Sequence, residues 1–348
     1  MRQDEAARYV KTVCRELELR ARYLADAPVT TVYFGGGTPS RLNPAQLGQI
    51  ISAIDSVVGL ENLQELTVEC NPDDITPQFV SALRDLGVNR ISMGVQTFDD
   101  DMLRFLNRRH SATQALDAIR TCRESGITNI SIDLMYGLPG QALDMFRSDL
   151  ETAVSTGVQH ISSYCLSYED GSPLKRMLNQ QKVVPATDEL CSSMFMLMCQ
   201  VLHNAGFNHY EISNFCRPGY HSRHNSSYWD GTPYLGLGAG AHSYNQTSRQ
   251  WNPSDLDAYM QGIEQDNPIF ELETLSDTDR YNEKLMLSLR TIRGLDLSDY
   301  SPTERQTVLK SAQVLLSNGS LLMDNNHLRI PESRMFISDS IISTLFKS

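Results

Sequence analysis

Four times along this chain a helical stretch stops at a glycine, passes one apolar and two polar residues, and enters an extended apolar segment. The junctions read LGVNRISMGV around Gly87, SGITNISIDL around Gly126, TGVQHISSYC around Gly157 and AGFNHYEIS around Gly206. Glycine just past a helix end takes the left-handed turn at little cost. The helix starts agree, because Asn43-Pro44, Thr76-Pro77, Ser111 and Thr187 stand where N-caps belong. The repeat predicts strands over 29–34, 65–70, 90–95, 128–134, 159–165 and 207–212. Helices are expected near 44–57, 77–86, 112–124, 142–155 and 188–204. Such alternation with right-handed crossovers gives a parallel sheet or barrel. The expected fold is therefore α/β, a partial (β/α)6 TIM-like barrel. The opening helix, expected over 4–25, has no strand before it, so the barrel is expected to lack its first strand.

The 348 residues suffice for one large α/β core and a smaller appended unit. Residues 1–213 carry the repeat, and 214–275 form a Gly/His/Tyr-rich segment and linker with one helix near 254–264. Residues 276–348 read as a separate C-terminal cap, winged-helix-like and α+β. Its helices are expected at 277–291 and 303–317, its strands at 320–323 and 327–330, and a last helix after Pro331. A net charge of −12 argues against nucleic-acid partners, so this cap is expected to pack on the barrel. No apolar run is long enough to span a bilayer, so no integral membrane protein is expected. The seven cysteines are scattered, with no CxxC pair and no zinc-finger spacing, which suits a reducing cytoplasm.

Polar residues gather at one end of the strands. VTTVYFGGGTPS runs from a β-branched and aromatic strand into three glycines, where bare backbone lets a ligand approach. Val68 leads to Glu69, Gly94-Val95 to Gln96, and Ile132 to Asp133. The carboxyl ends of parallel barrel strands share one rim, where ligands bind. A glycine turn, a Glu, a Gln and an Asp on four successive strands predict one pocket.

GGGTPS, VECNPDD, ISMGVQTF, SIDLMYGLPGQ, YEISNF and HNSSYW, in this order, resemble the radical S-adenosylmethionine proteins related to oxygen-independent coproporphyrinogen III oxidase. HNSSYW gives the chain most similarity to the HemW heme chaperones within that group. The resemblance implies S-adenosylmethionine held by Gly36, Gly37 and Thr38 through backbone contacts at its methionyl end. It also implies Glu69, Gln96 and Asp133 as polar contacts, and Arg108, or the adjacent Arg109, on the ligand carboxylate. The family further carries CxxxCxxC after its first strand, whose three thiolates bind a [4Fe–4S] cluster. Here that loop would precede Met1, and none of the seven cysteines has its spacing. The chain as written is expected not to build the cluster, which leaves reductive cleavage without an electron donor. An N-terminal truncation is the favoured explanation, because an opened parallel edge is costly.

The resemblance implies heme as cargo and heme-accepting respiratory enzymes as recipients. A histidine is the usual axial ligand. His221 and His224 are the candidates, with Tyr228 and Trp229 as aromatic faces and Arg223 beside them for a propionate. His242, in a second glycine-rich turn, is expected on the same rim. His110, His160, His203, His209 and His327 read as structural or solvated. The alternative function is that of a radical oxidoreductase decarboxylating coproporphyrinogen III.

Overall fold

The computed structural model describes residues 3–25 and 27–347. Helix α1 (Gln3–Arg20) leads into strand β1 (Thr31–Phe34). Then come α2 (Pro44–Val58), β2 (Glu65–Cys70), α3 (Pro77–Asp85) and β3 (Arg90–Gln96). After them follow α4 (Asp100–Phe105), α5 (Ala112–Glu124), β4 (Ile130–Tyr136), α6 (Leu143–Ser155) and β5 (His160–Cys165). Helices α7 (Pro173–Asn179) and α8 (Asp188–Asn204) precede β6 (Asn208–Glu211) and β7 (Asn214–Cys216). Helix α9 (Arg223–Trp229), β8 (His242–Tyr244), β9 (Ser248–Trp251), α10 (Leu256–Glu264) and β10 (Glu271–Thr274) make the next stretch. The C-terminal part holds α11 (Asp277–Leu289), β11 (Leu295–Asp296), α12 (Pro302–Ser317), β12 (Leu322–Asp324), β13 (His327–Arg329) and α13 (Ser338–Ser343).

The junction glycines do what their chemistry suggested. Gly87, Gly126, Gly157 and Gly206 have φ of 88°, 95°, 71° and 81°. Asn43, Thr76, Ser111 and Thr187 each accept a backbone N–H of the helix they begin, a cap worth about 1 kcal/mol.

The main sheet has the order β1-β2-β3-β4-β5-β7-β6. Its first five strands are parallel neighbours. Strand β7 departs from the expected (β/α)6 pattern. It pairs antiparallel with both β5 and β6, and so separates the fifth and sixth strands. Only Ile212 and Ser213 join β6 to β7, and so short a link permits a hairpin but no parallel crossover.

Strand alternation divides the five parallel strands into two faces. Leu66, Val68, Ile91, Met93, Val95, Ile130, Ile132, Leu134 and Ile161 join the apolar core against the helices. The opposite face is polar, with Thr31, Tyr33, Glu65, Thr67, Glu69, Arg90, Ser92, Gln96, Ser131, Asp133, His160, Ser162 and Tyr164. These polar groups are tied together. His160 meets Ser131 Oγ and the Tyr210 hydroxyl, each at 2.7 Å. Burial holds the His160 ring well below its ordinary pKa, so it is neutral.

The sheet is curled, and one short segment links its last strand to its second. Ser222 N–H donates to the Tyr210 hydroxyl at 3.3 Å, and Ser222 Oγ donates to Glu65 at 3.3 Å. Glu65, buried at the start of β2, also accepts from the N–H groups of Arg223 (2.7 Å) and His224 (3.2 Å). A carboxylate from the second strand thus satisfies the first N–H groups of α9.

Strands β8, β9 and β10 form a second antiparallel sheet. It is joined to α1 by hydrogen bonds from a buried ion pair within that helix, Arg20 donating to Ser243 Oγ (3.0 Å) and Gln250 Oε1 (2.9 Å). Glu16, fully buried, accepts from Arg20 (2.9 Å), Asn252 (2.7 Å), the Tyr259 hydroxyl (2.7 Å) and Gly238 N–H (2.9 Å). The glycine-rich turn at 236–240 therefore serves packing. The third sheet, β11-β13-β12, lies with α11 and α12 as the winged-helix-like pattern suggests. After Pro331 the chain forms a 3-10 stretch, Glu332–Ile337, before α13. A single apolar core runs from the barrel strands to Leu285, Leu289, Ile341 and Leu345, so the C-terminal elements pack on the barrel.

Removing one partner of a buried ion pair strands the other. Glu16→Ala is expected to lower unfolding free energy by about 3–5 kcal/mol, read by chemical denaturation.

Candidate functional site

The Gly35–Gly37 turn lies against Glu69. The Tyr33 hydroxyl donates to Glu69 Oε1 at 2.8 Å, and Gly36 N–H donates to Oε2 at 3.2 Å. A Cβ at position 35 would stand 2.4 Å from Tyr33 Cε1 and 2.7 Å from Glu69 Oε1, so the close approach needs glycine. Gly36 needs it for its φ of 76°. A Cβ on Gly37 would meet nothing within 4 Å, so its backbone is open to a ligand. Thr38 carbonyl accepts from Arg41 N–H at 3.0 Å and ends the turn.

The neighbouring strands converge on the same place. Gln96 ends β3 with φ 71°, a strained value for a side-chain-bearing residue. A Cβ on Gly94 would lie 2.9 Å from Gln96 Nε2 and 3.2 Å from Arg108 Nη2. Arg108 Nη2 donates to Gly94 carbonyl at 2.9 Å and to Asn71 Oδ1 at 2.8 Å. Gln96 and Asp133 line a cavity of about 440 Å³ with Met135, Tyr164, Cys165, Leu166 and Ser167.

The electrostatics of this mouth are those of two desolvated carboxylates. Burial pushes the Asp133 carboxyl up to about 7, and the charge of Glu69 adds to the rise. Burial also raises Glu69, against the bonds from Tyr33 and Gly36 that favour its ionised form. Neither carboxylate is in an ion pair among the described residues. Such a pair favours a ligand that brings positive charge.

The structure brings Gly36, Glu69, Gln96, Arg108 and Asp133 together. Arg109 is turned away, paired with Asp73 at 2.8 Å, so Arg108 is the inward arginine. His224 lies behind the mouth. Its ring stacks on Tyr33 with centroids 4.9 Å apart, its Nδ1 is 2.9 Å from Thr31 Oγ1, and its Nε2 is 2.9 Å from the Tyr228 hydroxyl. His221 is exposed, edge-on to Tyr210 at 6.3 Å, and Trp229 is half-buried at the end of α9. His242 lies exposed on the second sheet, stacked on Trp251. Sequence reasoning missed Tyr33, Gly35 and Asn71. Tyr33 and Gly35 share the inward face of β1 with Thr31, and that period of two was the available signal.

S-adenosylmethionine suits this cradle: a bare backbone turn, two carboxylates for a cationic ligand and an arginine for a carboxylate. The thiols do not suit a [4Fe–4S] cluster. Among the described residues no three cysteines converge, and Cys165 alone lines the cavity.

The Asp133 shift has a definite sign. Its folded pKa near 7 lies above the unfolded value of about 4. The folded state therefore binds the proton more tightly, and stability falls as pH rises between those values, with the full penalty above 7. Asp133→Asn is expected to be more stable than the parent above pH 7, by about 4 kcal/mol, and equal to it below about pH 4. Urea unfolding at pH 4 and pH 8 reads the difference.

The family model for the Radical SAM superfamily matches residues 6–153. The heme chaperone HemW of Lactococcus lactis is 37% identical over 265 residues, covering 76% of this chain and 70% of that protein. The heme chaperone HemW of Mycobacterium tuberculosis is 32% identical over 339 residues, covering 97% of this chain and 86% of its own. Radical S-adenosyl methionine domain-containing protein 1, mitochondrial, of Mus musculus is 34% identical over 335 residues, covering 91% and 75%. Among solved structures, coproporphyrinogen III oxidase (HemN) from Escherichia coli, a radical SAM enzyme, superposes with a TM-score of 0.83 at 23% identity. That superposition covers 100% of this chain and 85% of the oxidase, and it establishes the shared half-barrel fold. With the strand-end pocket in place and relatives of this identity along most of its length, the chain belongs to the HemW heme chaperone family of radical SAM proteins.

Proposed function

We propose that the protein holds S-adenosylmethionine at the strand-end mouth, binds heme at the adjoining α9 edge, and delivers it in the cytoplasm to respiratory proteins. The relatives named heme chaperones support this reading. In it, Gly36, Gly37 and Thr38 meet the methionyl end through backbone groups. Glu69, Gln96 and Asp133 take the cationic and hydroxyl groups, and Arg108 takes the carboxylate. When bound, the ligand supplies the positive sulfonium nucleoside that these carboxylates favour. The thiol set of this chain does not fit a cluster, so no reductive step is derived.

The observation that carries the heme reading is the placement of the His224 ring, stacked on Tyr33 with a hydroxyl at each nitrogen. Burial holds its pKa down to about 4, so the ring is neutral at physiological pH. Nδ1 lies 2.9 Å from Thr31 Oγ1 and Nε2 2.9 Å from the Tyr228 hydroxyl, and the tautomer that donates Nδ1–H to Thr31 turns the Nε2 lone pair toward the phenol. A metal-binding histidine is commonly oriented in this way, one ring N–H donated to a fixed partner and the other nitrogen free to ligate. The phenol is the group that heme iron would displace, and Tyr228 is 40% exposed, so it has room to leave. His221, Trp229 and Arg223 lie around the same edge as a second ligand, an apolar face and a propionate partner.

A hemin titration followed by the Soret band tests this. His224→Ala is expected to weaken binding at least tenfold, and Tyr228→Phe to strengthen or preserve it. Parent-like binding by a folded His224→Ala protein would contradict the assignment.

A further inference from the structure

A second group of donor atoms lies away from the strand-end mouth, where α8, the β6 strand and the C-terminal 3-10 stretch meet. Cys199 is buried on α8, His209 is buried on β6, and Glu332 begins the 3-10 stretch. One donor atom from each lies within 4.8 Å of the others. His209 Nδ1 is 2.8 Å from Glu332 Oε1, and His203 Nε2 is 3.2 Å from the same oxygen. Cys199 and His203 are one turn apart on α8, so they share a face.

We propose that Cys199, His209 and Glu332, with His203 as the fourth ligand, form a Zn²⁺ site that ties the C-terminal elements to the barrel. The surroundings of His209 support it. His209 Nε2 is turned to Ile212 carbonyl at 3.4 Å, and its ring is held by stacking on Phe215 at 4.1 Å. In the neutral tautomer that turns Nε2–H to this carbonyl, Nδ1 presents a lone pair to a carboxylate oxygen. Two facing acceptors need a proton or a cation between them. A thiol within 4.8 Å of both, and the His203 imidazole 3.2 Å from the same Glu332 oxygen, make the cation the better match. The donor set is that of zinc: one thiolate, two imidazoles and one carboxylate. Tetrahedral bonds of about 2.0 Å put neighbouring ligand atoms about 3.3 Å apart. The His203–Glu332 separation of 3.2 Å already matches. His209 and Glu332 need to open by about half an ångström, which the carboxylate at the start of a short helix can supply. Glu332 and His203 side chains are 28% and 44% exposed, which provides a way in for the ion. Bound metal would link residues 123 positions apart in the chain.

The test is titration of the metal-free protein with Co²⁺ and, separately, Zn²⁺. One equivalent of Co²⁺ is expected to give a thiolate charge-transfer band in the near ultraviolet and visible bands of a tetrahedral ion. Cys199→Ser should lose the charge-transfer band. Zn²⁺ should raise the melting temperature of the parent by about 5 °C at a hundredfold excess over its dissociation constant. Glu332→Gln, a milder and partly exposed change, should abolish that rise while remaining folded. A parent protein with neither band nor thermal shift, or a Cys199→Ser protein that keeps the charge-transfer band, would overturn the proposal.

Discussion

Two carboxylates share one water-poor mouth, and much of this structure serves to keep them there. Glu69 on β2 and Asp133 on β4 sit on the same polar face of a curled sheet, and each is pushed toward its neutral form by burial. The cost is moderated from several sides. Tyr33 and Gly36 donate to Glu69. Arg90, buried in the lower barrel with Nε and Nη1 unpaired by protein groups, contributes positive potential that opposes the rise at Asp133. The glycines follow from this arrangement, since a side chain at position 35 would collide with both Tyr33 and Glu69. A polar barrel interior is thus a consequence of strand alternation put to use. The apolar residues of each strand face the helices, and their polar neighbours have only one another and a ligand to meet.

The open side of the half-barrel is closed by Glu65, a second buried carboxylate on the same strand. Its bonds to Ser222, Arg223 and His224 fix the start of α9. That placement sets His224 on Tyr33, and Tyr33 holds Glu69. The candidate heme edge and the candidate S-adenosylmethionine mouth therefore share one side chain, Tyr33. The two sites meet through a stack and a hydrogen bond, a direct physical route by which occupancy of one can alter the other.

Local chemistry made much of this legible in the sequence. The glycines at 87, 126, 157 and 206 and the caps at 43, 76, 111 and 187 mark helix ends through backbone conformation and hydrogen bonding, which act over a few residues. The polar set Glu69, Gln96 and Asp133 was visible because parallel strands present their carboxyl ends together. The features that escaped depend on contacts distant in sequence. Strand β7 inserts where a tight link forces a hairpin. The glycine-rich turn before His242 reads as part of the ligand rim, yet it packs on Glu16, more than two hundred positions away. His203 and His209 read as structural, because nothing near them in sequence announces Cys199 and Glu332 as neighbours together.

The most direct test of the central claim is the affinity for S-adenosylmethionine as a function of pH, measured by calorimetry between pH 5.5 and 8.5. If the two carboxylates create the site's preference for a cation, affinity rises as Asp133 loses its proton near pH 7 and levels off above it. Asp133→Asn then flattens the profile. A parent affinity that is constant across this range, or that falls as pH rises, would contradict the account.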